Sequence, residues 1–110
     1  MNTHIQHQSL ANGRWAQFSL AEQLGNIGSE ISRALHSRGD NDKFDRAVVR
    51  ALELFDLTIR DARWKKQLKE ITRAREVFCD LVFGENQYDT SLEDLDRYFY
   101  YFAYLARARK

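Results

Sequence analysis

The segment Trp64 to Val82, WKKQLKEITRAREVFCDLV, decides the fold. Its residues Trp64, Leu68, Ile71, Arg75, Phe78 and Val82 recur every three or four positions, which puts all six on one helical face. Arg75 lies at the centre of that face, where a leucine belongs. A charge there implies a buried, paired group that fixes how helices dock. Glu30, flanking the core stripe of an upstream helix, is the first-choice partner, and Asp56 is the second. The clue concerns architecture, because a lone arginine brings neither nucleophile nor base with it.

The same period extends along the rest of the chain. Phe44, Val48, Leu52, Phe55 and Ile59 form a preceding stripe, widened by Ala51 and Leu54 and opened by Asp42 with Asp45. No glycine or proline separates this stripe from Trp64. Yet at about 100° per residue one continuous helix would turn Trp64 about 160° away from it. A break near Asp61 is therefore required, and Asp61 can cap the next helix. Upstream, Ser19 and Glu22 make a capping box ahead of Leu20, Leu24, Ile27, Ile31 and Leu35, with Gly39 as the expected stop. Downstream, Gly84 ends the third helix. Thr90 with Glu93 forms a second expected capping box before Leu92, Leu95, Phe99, Phe102 and Ala106.

Residues 1–17 are polar and aperiodic, and are expected to form a flexible tail anchored by Trp15 and Phe18. Residues 18–110 are expected to form an all-α, antiparallel up-and-down four-helix bundle. At 110 residues the chain is one domain. The absence of proline favours helices throughout. A formal net charge of +1 gives no global attraction to nucleic acid or anionic lipid, so charge matters only as local patches. The lone Cys79 excludes an intramolecular disulfide framework and suits a reducing, cytoplasmic location. No secretory signal or membrane-spanning run is evident, so no membrane partner is expected.

Three surface constellations bear on function. Ala21, Gly25, Gly28 and Ser32 form a narrow strip on the first helix. Each mid-helix glycine costs about 1 kcal/mol relative to alanine, so close approach of another helix is expected there. Lys66, Lys69 and Arg73 share the outward face of the third helix, in a charge order opposed to its dipole, and offer a patch for phosphates or an acidic partner. The fourth helix carries Tyr100 and Tyr104 opposite its core face, with Tyr101 and Leu105 beside them. A helix aromatic all round is normally covered on more than one side, so these four residues are the expected homo-oligomer interface. Base stacking between these tyrosines and the neighbouring arginines is the alternative use.

Enzyme signatures are weak. His4 and His7 have helical metal spacing but no third ligand nearby, and no Glu-x-x-His pair of a di-metal carboxylate site occurs. Arg33 and His36 are too closely spaced for the arginine–histidine pattern of helical ribonucleases. No catalytic residue, cofactor, metal or small-molecule substrate is therefore expected.

The stretches Ser19–Glu30 (SLAEQLGNIGSE), Arg50–Ile59 (RALELFDLTI), Leu68–Ile71, Arg75–Val77 and Cys79–Asp80 carry a resemblance. Together with the aromatic helix Tyr98–Arg107, they resemble an uncharacterised family of small prokaryotic four-helix proteins, known as hypothetical proteins. The likeness covers most of residues 15 to 107 and implies the helix boundaries, with no chemistry attached. In general shape the chain is also similar to the four-helix bundles encoded in ribosomal RNA intervening sequences, and to the accessory protein of diversity-generating retroelements. That likeness implies nucleic-acid association. Two readings follow: a non-enzymatic, homo-oligomeric helical interaction module, or an accessory protein that binds RNA or a reverse transcriptase. The latter would use the basic half of the third helix and the Tyr/Arg-rich fourth.

Overall fold

The computed structural model describes residues 13–108. The four helices are α1 (Leu20–His36), α2 (Asn41–Arg60), α3 (Leu68–Phe83) and α4 (Leu92–Ala108). They form an antiparallel up-and-down bundle, and no strand occurs among the described residues. The helix α1 packs most extensively, with α4 on one side and α2 on the other; α3 lies on α2 and touches α4 only lightly. The core joins Ile27 and Ile31 to Leu54, Phe55, Ile71, Phe78, Leu92, Leu95 and Phe99. Trp15, expected as an anchor of the N-terminal segment, is 3% exposed and belongs to this core. Residues 1–12, including His4 and His7, lie outside the described residues, as do Arg109 and Lys110.

The helix boundaries follow local chemistry. Ser19 Oγ accepts from the Glu22 amide while Glu22 Oε1 accepts from the Ser19 amide, completing the expected capping box. Three expected boundaries shift. Gly39 does not adopt a left-handed conformation, and α1 ends through a turn in which the Ser37 amide donates to the Ala34 carbonyl. The N-cap of α2 is Asp40, whose carboxylate accepts from the Lys43 amide. At α4 the cap is Ser91, whose hydroxyl accepts from the Asp94 amide, rather than Thr90 with Glu93. Glu93 is thereby freed to take both guanidinium nitrogens of Arg38, each at 3.1 Å.

The required break at Asp61 is present. Asp61 ends α2 and its carboxylate accepts from the Arg63 amide, starting a 3₁₀ segment, Ala62–Gln67, before α3. Trp64 therefore sits on this elbow, with its apolar ring half-buried, and not on the face of α3.

A buried polar network fixes the elbow. Gln23 on α1 is fully buried; its amide nitrogen donates to the Trp15 carbonyl at 3.0 Å and to Asp61 Oδ2 at 3.1 Å. Its amide oxygen accepts from the Trp64 indole at 3.0 Å, and the Trp15 indole donates to Thr58 Oγ1 at 3.2 Å. Arg63 bonds Asp61 at 2.6 Å and reaches the Phe18 carbonyl at 2.9 Å. These Arg63 bonds lead the causes that hold the Asp61 carboxyl down at about 2, against an ordinary 3.8. A depressed folded pKa contributes stability above the unfolded value, and that stability is lost as pH falls through the folded one. The bundle is therefore expected to soften between about pH 4 and pH 2. Thermal melts of wild type and Asp61→Asn should converge across that window, and a gap that stays constant with pH would contradict this assignment.

Candidate functional site

The strip on α1 is spent inside the bundle. A Cβ on Gly25 would lie 3.0 Å from the Ala103 Cα, and one on Gly28 would lie 2.7 Å from the Phe99 Cβ. The two glycines thus let α4 approach α1 almost backbone to backbone, and this contact holds α4 rigidly with one side inward. Phe99, fully buried, packs edge-on against Phe55 with ring centroids 5.8 Å apart.

The opposite side of α4 is bare. Tyr100 is 63% exposed, Tyr101 58% and Tyr104 57%, and Leu105 is half-buried at the margin of the same patch. The three tyrosines therefore lie on one outward surface, with Leu105 at its margin. A wider pattern surrounds them. Glu93, Arg97, Tyr100, Tyr104 and Arg107 follow one another at spacings of four, three, four and three, the repeat of a helix-pairing seam. All five are exposed. Asp94 and Arg97 bond each other on this face, with side chains 52% and 72% exposed.

Tyr98 marks the edge of the patch toward α3. Its hydroxyl donates to Glu70 Oε1 at 2.8 Å, and its ring meets Phe99 and Phe102 edge-on. Burial, helped by the Glu70 carboxylate, pushes the phenol up to about 12. On either side of this bond the shallow contact between α3 and α4 leaves a depression. One, of about 330 Å³, is lined by Ala74, Val77, Leu95 and Tyr98, and the other is a smaller crevice of about 100 Å³ beside Leu24 and Phe102.

Lys66, Lys69 and Arg73 are all exposed along one open concavity of about 500 Å³. Glu70 and Glu76 line it too, so the basic row is interrupted by acid. Arg73 additionally stacks over the Tyr88 ring, 5.0 Å from its centroid.

The expected Arg75–Glu30 pair does not form. Arg75 Nε donates to Asp56 Oδ1 at 3.0 Å, and both side chains are partly solvated at 33% and 49% exposure. The reason is topological: α3 neighbours α2, whereas α1 lies diagonally across the bundle, so the second-choice partner is the reachable one. An exposed pair of this kind contributes up to about 1 kcal/mol, well below a buried one. Glu30 is itself buried, with Arg33 at 2.9 Å on its own helix and Arg50 of α2 at 4.0 Å.

No family model, curated protein or solved structure matches this chain. Among the described residues no cluster of histidine, cysteine, aspartate and glutamate could hold a metal ion, and no helix is long and apolar enough to cross a membrane.

Proposed function

We propose that the chain is a non-enzymatic, homo-oligomeric helical interaction module that associates through the outer face of α4. The observation that carries this reading is the set of three tyrosines, each more than half exposed, on a helix whose other side is sealed against α1. Contiguous aromatic surface of this kind favours association, because pairing removes it from water. Tyrosine suits such a surface, since it buries a large ring at low entropic cost and keeps its hydroxyl wet at the rim.

Sedimentation at micromolar concentration tests the reading. The wild type is expected to contain a species heavier than the 13.0 kDa chain. A Tyr100→Glu, Tyr104→Glu double variant, with helical circular dichroism retained, is expected to be monomeric, because both substitutions bring carboxylates into the paired surface. A wild type that stays monomeric at high concentration overturns the proposal.

The row of Lys66, Lys69 and Arg73 favours a second reading, an accessory protein for RNA or a reverse transcriptase. Phosphate contacts by these residues predict an RNA affinity that falls steeply with salt. A monomeric wild type with such a salt-dependent affinity would replace the first reading by the second.

A further inference from the structure

We infer that the partner at this face is a second copy of the chain, docked with its α4 antiparallel to the first about a twofold axis near Tyr100 and Tyr101. The inference rests on the self-association reading above and specifies its geometry. Its basis is the order of charges along the exposed face: Glu93 and Asp94 at the start, Tyr100, Tyr101 and Tyr104 in the middle, Arg107 in the last turn.

Such a row complements itself only when reversed. A parallel alignment sets Arg97 and Arg107 each against its own like charge, which opposes association; Glu93 is already paired with Arg38 of its own chain. The antiparallel alignment with Tyr100 beside the partner's Tyr101 brings Arg97 to the partner's Tyr104 and sets the acidic Asp94 level with the partner's Arg107. The twofold axis repeats each contact, giving two arginine–tyrosine contacts and a central tyrosine cluster, with the acidic start of each helix level with the basic end of the other. Among the described residues, arginine already stacks on an aromatic ring at Trp64 and at Tyr88. Arg63 lies 4.4 Å from the Trp64 ring centroid, and Arg73 lies 5.0 Å from that of Tyr88. Arg97 is available for the same contact, since its side chain is 72% exposed and held only by the neighbouring Asp94.

Glu93 and Ala108 fall opposite each other across the proposed seam, and neither supplies one of the contacts just named. They therefore serve as reporters. In a Cys79→Ser background, mixing the Glu93→Cys and Ala108→Cys proteins under mild oxidation is expected to give a covalent dimer containing one of each. Neither protein alone should cross-link, because identical cysteines would lie fifteen positions apart along the seam, about 22 Å at the helical rise. A disulfide needs Cα atoms closer than about 7 Å. Arg107→Glu, which puts acid level with the partner's acidic Asp94, is expected to weaken the dimer tenfold or more.

Cross-linking of either protein with itself would show a parallel pair and overturn the geometry. A dimer in sedimentation that yields no mixed cross-link would also overturn it, while leaving the module reading intact. A monomer in both measurements removes the module reading and the geometry together.

Discussion

Gly28→Val is expected to destabilise the fold by about 3 kcal/mol, at the upper end of ordinary overpacking. The added Cβ would sit 2.7 Å from the Phe99 Cβ and 3.4 Å from the Phe99 backbone carbon and oxygen. Phe99 cannot yield, because its ring is fully buried against Phe55 and Phe102. The whole of α4 must then move outward, which opens the contact at Gly25 and Ala103 as well. Valine is intrinsically the better helix former by a few tenths of a kcal/mol, far too little to offset this. A melting temperature lower by roughly 10–15 °C would follow for a domain of this size. Gly25→Ala is the milder companion, since its Cβ meets Ala103 Cα at 3.0 Å while the helix gains propensity. A Gly28→Val melt indistinguishable from wild type would mean that α1 and α4 are not held at this distance.

The second large effect is expected at Gln23. Replacing it by leucine keeps the volume but removes every hydrogen bond the amide makes. The Trp64 indole N–H loses its partner, the Trp15 carbonyl keeps only the Phe18 amide, and Asp61 retains Arg63. A buried polar group left unpaired costs about 1–3 kcal/mol, so a loss of that size is expected in denaturant unfolding. The loss should be accompanied by a change in tryptophan fluorescence, because Trp15 and Trp64 are the only indoles in the chain and both meet Gln23. Gln23→Glu supplies a contrast, for it places a carboxylate beside Asp61 and should be at least as harmful. A Gln23→Leu protein as stable as wild type would show that the elbow is held by its apolar contacts alone.

The helix register, the elbow at Asp61 and the four-helix architecture were all legible in the sequence, because each depends on chemistry within a few residues. A 3.6-residue repeat of apolar side chains fixes which face turns inward. Serine and glutamate three positions apart satisfy free amides wherever they occur, as Ser19 and Glu22 do. The outward position of Tyr100, Tyr101 and Tyr104 followed from the same periodicity. Where local signals competed, the expected boundary missed by a residue or two: Thr90 and Ser91 both can cap α4, and the backbone took Ser91.

Tertiary structure alone decided which helices became neighbours, and with them the long-range partners. Arg75 is equally at the centre of its face whichever acid it meets; the adjacency of α2 and α3 gave it Asp56 and left Glu30 to Arg33 and Arg50. The glycine strip announced a close approach without saying from what, until Ala103 and Phe99 of α4 filled it. Gln23 is the clearest case. It shares a face with Ile27 and Ile31, but a glutamine in the first turn of a helix reads as solvent-exposed until Trp15, Asp61 and Trp64 converge on it. Periodicity reports the direction of a side chain relative to its own helix axis. Only the packing of separate helices determines what lies in that direction.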